Sequence, residues 1–481
     1  MSLQEKCGVF GAWVGEGEVF PVLYWGMLAQ NHRGHQSHGF ATWDSKIEYY
    51  TQLGLIPPNS GNFDIKSLKG KVGIGNVRYA TSGSLDLEAR QRDAMPCVVG
   101  GKKRTIAISF NGNIVNVREL QDRVGVDRSY SDTHALAILI EETLEKGGTL
   151  EEAALECMTG IDGSFAVTGL TDDGTLFAFK DPIGVKPLSY GKCENIHAFS
   201  SESVGFDING LEWDHELLPG ELMVVKDGNV SRKLIVPWKK RAFCAFEFAY
   251  FMRPDSRVNN KYIYQARKEF GIALARIYKD KAQRCDVVLS LPDTADDAAY
   301  GFHEETGLPW ERATRRHRYV TQRAFISDAE DRKNIVYRKV NILKQMIKGK
   351  NLAIVDDSIV RGDTTRSIVK RLRESDCGEI HLFITYPKII GPCFYGIDMS
   401  TYTELIGASL ESDEIAHEIG ADSVNYLPID DYVKYTGLSR YQLCLGCITG
   451  SYPTPKADEL AKRIKSRVKS GEGEKGRIYE N

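Results

Sequence analysis

Two adjacent acids, Asp356 and Asp357, end an apolar run and open a loop that also holds Ser358, Arg361, Gly362, Asp363, Thr364 and Thr365. Paired acids, a glycine and three hydroxyls in one short loop are the parts of a phosphate site. Residues 352–355 are too few for a helix and read as a buried parallel strand, whereas Ile368, Val369 and Leu372 recur at helical spacing just beyond. The loop therefore lies at the carboxyl end of a strand. Open α/β sheets bind ligands there, because loop N–H groups and the next helix N-terminus present partial positive charge. An ordinary strand-to-helix turn with two solvated acids would need neither the glycine nor the hydroxyls. No Gly-x-x-x-x-Gly-Lys-Ser/Thr occurs in the chain, so this is not a nucleotide P-loop.

Cysteines supply the other candidate chemistry. Cys7 opens the strand-like segment Cys7-Gly8-Val9-Phe10-Gly11, where a thiol beside Val and Phe is, taken alone, most simply a core residue. Cys444-Leu445-Gly446-Cys447 fits a redox pair, half a zinc site or half an iron–sulfur site. The thioredoxin-like context that a redox pair wants is missing. Zinc needs two further ligands, and no second Cys-x-x-Cys or His pair lies nearby.

The elements that must position these residues fall into two regions. A chain of 481 residues is too long for one comfortable core, and 42% hydrophobic content suffices for two domains. From residue 7 to about 235, short β-like runs (71–77, 105–109, 164–170, 221–225) and helices near 19–30 and 133–146 predict an α+β domain ending near 237–241. Beyond residue 258, helix and strand alternate (262–278, 286–290, 295–305, 352–355, 367–375, 380–385), the rhythm of a parallel sheet with crossover helices. A charged helix is expected over 457–470, then a tail whose Gly471, Gly473 and Gly476 match a dinucleotide fingerprint but follow no strand. The net charge of −3 gives no general reason to expect nucleic acid or an anionic membrane as partner. No apolar run approaches membrane-spanning length, and the first residues lack a secretory signal. A cytoplasmic protein is expected, its ten cysteines serving as thiols, ligands or nucleophiles rather than a disulfide framework.

Several segments occur in one order: Asn31-His32-Arg33-Gly34, Gly75-Asn76-Val77-Arg78-Tyr79, Phe110-Asn111-Gly112-Asn113, Ser131-Asp132-Thr133, Lys180-Asp181-Pro182-Ile183-Gly184-Val185-Lys186-Pro187-Leu188 and Ser200-Ser201-Glu202-Ser203. Together they resemble the glutaminase domain of class II, N-terminal-nucleophile amidotransferases. The acidic loop resembles the phosphoribosyl pyrophosphate (PRPP) signature of type I phosphoribosyltransferases. A glutaminase ahead of a phosphoribosyltransferase resembles the amidophosphoribosyltransferase family over residues 7 to about 455.

The resemblance implies an N-terminal-nucleophile hydrolase sandwich of αββα layers over residues 7–237 and an α/β phosphoribosyltransferase domain with a parallel sheet over 238–455. Residues 1–6 would be a leader that is removed, and 456–481 a charged helix and tail. It further implies that Cys7 is both nucleophile and free α-amine, and an α-amine titrates near neutrality, as a base should. Asn111 and the Gly112 N–H would form the oxyanion hole, and Arg33, Arg78 and Asp132 would bind glutamine. Asp356, Asp357, Ser358, Arg361, Gly362, Asp363, Thr364 and Thr365 would bind PRPP, with Mg²⁺ on Thr294, Asp356 and Asp357.

The segments around Cys244, Cys393 and Cys444 to Tyr452 resemble the iron–sulfur branch, implying a [4Fe–4S] cluster on Cys244, Cys393, Cys444 and Cys447. The implied reaction is attack of glutamine-derived ammonia on carbon 1 of PRPP, giving 5-phosphoribosylamine, the first step of de novo purine synthesis. Purine nucleotides are the implied inhibitors and a homodimer or homotetramer the implied assembly.

Three positions and one loop depart from the family pattern. Asp363 stands where threonine is usual, Asn76 and Phe110 replace histidines, and residues 316–326 differ from the usual loop that closes over PRPP. Such changes leave open a paralogue with another ammonia acceptor, or a PRPP-sensing protein without catalysis. A sensor, however, needs no thiol nucleophile.

Overall fold

The structure is a computed structural model that describes residues 7–59, 68–79, 87–237, 240–317, 340–397, 399, 401–471 and 474. The expected leader 1–6, residues 318–326 of the closing loop and the terminal Gly473 and Gly476 lie outside the described residues.

Two antiparallel sheets stack in the N-terminal half. One has seven strands in the order Glu212–Glu216, Ser189–Cys193, Ile196–Ser200, Gly8–Val14, Val72–Arg78, Ser37–Trp43 and Ile47–Leu53. The other has six: Asn229–Leu234, Glu221–Lys226, Leu176–Lys180, Gly163–Thr171, Thr105–Ile114 and Cys97–Gly100. Because side chains alternate along a strand, Val9 enters the layer between the sheets, while Phe10, Ala12 and Val14 turn outward against Phe20, Leu23 and Met27 of the helix Phe20–Leu28. On the second sheet Ala107 faces inward, and Ile106, Ile108 and Phe110 lie under Leu136, Leu139 and Ile140 of the helix Asp132–Glu145. Each of these buried Leu, Ile or Phe side chains contributes roughly 2 kcal/mol of apolar burial. The layers run helix, sheet, sheet, helix, as the resemblance implies.

The C-terminal half is built on four parallel strands, Val287–Ser290, Leu352–Asp356, Ile380–Ile384 and Ser423–Tyr426, adjacent in that order. Leu352 and Ile354 pack on one face, Ala353 and Val355 on the other, so both faces are buried and the strand is apolar throughout. The helix Asp363–Arg373 starts four residues earlier than the apolar spacing predicts. Gly362, at φ +81°, makes the left-handed turn that lets it start there, so Asp363, Thr364 and Thr365 form its first turn.

The halves share a core in which Val115 and Val185 of the sandwich pack with Phe243, Phe246, Phe394 and Tyr452. The junction strand Phe243–Cys244 pairs in parallel with Leu443–Cys444, while the Ala242 and Cys244 N–H groups donate to Ile183 O (2.7 Å) and Val185 O (3.1 Å). From the transferase side, Phe394 O accepts a bond from Asn113 Nδ2 at 3.0 Å. The C-terminal helix Pro455–Lys469 begins on the sandwich, its Lys456 N–H donating to Asp162 at 3.1 Å. Among the described residues no helix is long and apolar enough to cross a membrane.

Candidate active sites

Cys7 is buried immediately before the strand Gly8–Val14, its thiol directed at Tyr79 O (3.6 Å). Burial pushes the thiol above its ordinary pKa. Arg78 and Lys186 oppose that shift, and Asp132 reinforces it, so all three charges act on the sulfur. Asp132 opens the helix Asp132–Glu145 and accepts from Ile114 N–H (3.2 Å) and Thr133 N–H (2.8 Å), and Arg78 faces Asp93 at 3.8 Å. The thiol is thus reached by two of the three residues expected to bind glutamine, and by Lys186, for which the sequence suggested no role.

Asn111 and Gly112 lie within the strand Thr105–Ile114, paired to Ala166 and Phe165. A Cβ on Gly112 would come within 2.1 Å of Ser164 O, so only glycine permits this strand approach. Asn111 is buried, and neither its side-chain oxygen nor its nitrogen finds a hydrogen-bond partner among the described residues. An orphaned buried amide costs roughly 1–3 kcal/mol, which a ligand that pairs it would recover. Asn76, one of the substituted histidine positions, joins this strand to the strand Gly8–Val14 by donating to Gly8 O (3.1 Å) and Phe110 O (3.4 Å).

Arg33 lies beside Cys7. Its guanidinium is buried and donates to Glu202 (2.6 Å), to both oxygens of Glu247 (3.1 Å each) and, through Nε, to Cys7 O (3.1 Å). Burial opposes its charge, but Glu247 and Glu202 outweigh burial and hold it ionised. Glu202 in turn, despite burial, is held well below the carboxylate range by His32 and Arg33. Arg33 therefore grips the main chain of Cys7.

In the acidic loop, Asp356 and Asp357 are buried side by side. Burial raises both pKa values, and the charge of Asp357 raises that of Asp356 further. Asp357 accepts bonds from Thr294 Oγ1 and Ser358 Oγ (2.7 Å), and its carbonyl from Tyr386 N–H (2.8 Å). Two like charges forced together out of water suit a divalent cation, and the Thr294 hydroxyl adds an oxygen donor. Arg361 reaches outward to Glu404 at 2.6 Å. Asp363 is exposed and held by Arg366 (3.1 Å), which also binds Glu418 (2.8 Å). Because this carboxylate is directed to Arg366, Asp363→Thr should change the Michaelis constant for PRPP by less than about twofold, the size expected of an exposed pair; steady-state titration with PRPP measures it.

The four cysteines expected to hold a cluster share one neighbourhood. The register sets Cys244 beside Cys444, and burial pushes the Cys447 thiol well up, helped by Cys393, Cys444 and Cys244. Tyr386 Oη stands 3.2 Å from Cys447 Sγ. Among the described residues no three His, Cys, Asp or Glu side chains stand close enough to hold a single metal ion.

A thiol-bearing αββα sandwich fused to a parallel sheet with an acidic loop defines a glutamine amidotransferase joined to a phosphoribosyltransferase. The family model for a glutamine amidotransferase domain matches residues 84–207. The amidophosphoribosyltransferase of Archaeoglobus fulgidus is 36% identical over 456 residues, covering 93% of this chain and 98% of the relative. That of Bacillus subtilis is 35% identical over 478 residues, covering 97% and 98%. The solved glutamine PRPP amidotransferase from B. subtilis, complexed with ADP and GMP, superposes with a TM-score of 0.85 at 34% identity, covering 94% of this chain and 98% of that one. The chain belongs to the amidophosphoribosyltransferase family.

Proposed function

We propose that this chain transfers the amide nitrogen of glutamine to carbon 1 of PRPP, releasing glutamate and pyrophosphate, with residues 7–237 as the glutaminase and 238–455 as the transferase. The observation that carries the reading is the orphaned Asn111 amide on a strand tied through Asn76 to that of a buried thiol. Once residues 1–6 are removed, the α-amine of Cys7 takes the thiol proton as sulfur attacks the glutamine carboxamide. Asn111 and the Gly112 N–H stabilise the oxyanion, and Arg78 and Asp132 hold the α-carboxylate and α-ammonium of glutamine. Proton return expels ammonia, and water then releases glutamate from the thioester.

Ammonia attacks carbon 1 of PRPP held by the loop 356–365, where the N–H groups of the helix Asp363–Arg373 and the hydroxyls of Thr364 and Thr365 receive the 5-phosphate. Mg²⁺ on Asp356, Asp357 and Thr294 would neutralise the departing pyrophosphate. Cys244, Cys393, Cys444 and Cys447 would carry a [4Fe–4S] cluster that ties the junction strand to the transferase. Purine nucleotides compete for the PRPP loop, whose phosphate-binding parts do not depend on the base; the solved B. subtilis relative is complexed with ADP and GMP.

The test is an anaerobic assay with glutamine, Mg²⁺ and PRPP. Glutamate and pyrophosphate are expected in equal amounts, with about four irons per chain and an N-terminus at Cys7. Glutamate without pyrophosphate would point to another ammonia acceptor. Neither product would leave a binding protein.

A further inference from the structure

Glu247 sits in one π-helical turn, Glu247–Phe251, three residues past Cys244 and outside both halves' sheets. It is fully buried and grips Arg33 with both oxygens, 3.1 Å each, while Arg33 Nε holds Cys7 O at 3.1 Å. On its far side the same turn meets the transferase. Arg267 donates to Phe248 O (2.9 Å) and Met252 O (2.8 Å). The neighbouring Phe246 ring stands edge-on to Tyr386 at 4.7 Å, and the Tyr386 N–H donates to Asp357 O at 2.8 Å. One short segment thus touches the main chain of the nucleophile through a guanidinium, and the main chain of the acidic pair through an aromatic ring.

We propose that Glu247 is a positioning residue for Cys7, through which the Glu247–Phe251 turn holds the nucleophile in register with the PRPP loop. Both carboxylates keep Arg33 ionised, but Glu202 meets it through one contact at 2.6 Å and shares that oxygen with His32 at 2.8 Å. The second, bidentate carboxylate adds a fixed distance and angle, because guanidinium and carboxylate are both planar and pair edge to edge. The inference rests on the reading of Cys7 as nucleophile and of the acidic loop as the PRPP site.

The test compares Glu247→Gln and Ser256→Ala with wild type in three assays: glutamine-driven glutamate release with PRPP, its Michaelis constant for glutamine, and ammonia-driven pyrophosphate release. Ser256→Ala removes only a hydrogen bond to Glu202 (2.7 Å) in the same buried cluster. Glu247→Gln should lower glutamine turnover about tenfold, leaving the glutamine Michaelis constant and the ammonia-driven rate within about twofold. Ser256→Ala should leave all three within that range. Unchanged glutamine turnover in Glu247→Gln, equal loss of both activities, or an equal effect of Ser256→Ala would each overturn the inference while the functional reading stands. Wild type that releases no glutamate overturns the functional reading itself, and this inference with it.

Discussion

Cys7→Ser should cut glutamine-driven turnover by about four orders of magnitude, the scale seen when a nucleophile that acts as one unit with its base is removed. The same variant should keep ammonia-driven pyrophosphate release, since free ammonia bypasses the thiol. Burial pushes the Cys7 thiol up, so at neutral pH the resting site holds a thiol that must lose its proton during attack. A serine hydroxyl in that place has a far higher pKa and offers the α-amine a much poorer proton to take. The two rates, measured on one preparation with glutamine or ammonium chloride as nitrogen source, check the prediction. Parallel loss of both would move Cys7 from catalysis to core structure.

Asp357→Asn should remove both glutamine-driven and ammonia-driven pyrophosphate release by about three orders of magnitude, because on the proposed reading the transferase step loses a charge that would orient PRPP and its cation. The fold should not suffer. The carboxyl is raised by burial, so its contribution to stability is present below the unfolded carboxyl pKa and is lost as pH rises through the folded value. Without Mg²⁺ the wild type therefore carries the cost of a carboxyl whose ionised form is disfavoured by burial. Asparagine keeps the shape, and the Thr294 and Ser358 hydroxyls that now donate to Asp357 can turn to accept. Melting in EDTA should show Asp357→Asn at or above wild type, the gap closing below about pH 4. A variant that melts lower would mean that the loop depends on the carboxylate for its own structure.

Chemistry carried by neighbouring residues was legible in the chain. The strand ending in Asp356 and Asp357, the glycine and the hydroxyls lie within one strand, loop and helix, where apolar spacing and turn residues act over a few positions. So do Cys7 ahead of its strand and the alternation that distinguishes the two halves. The start of the helix at Asp363 was misjudged because its first turn is polar and bears no apolar periodicity.

What escaped the sequence are contacts between distant segments. Arg33 meets Glu202 and Glu247 across separations of 169 and 214 residues. Lys186 acts on the Cys7 thiol from another element. By itself, then, the sequence determined which functional groups exist and the local backbone that presents them, because secondary structure follows spacing along the chain. Only the tertiary structure decided which charges share a buried site, because burial and pairing depend on what the fold brings within a few ångströms, and that has no period in the sequence.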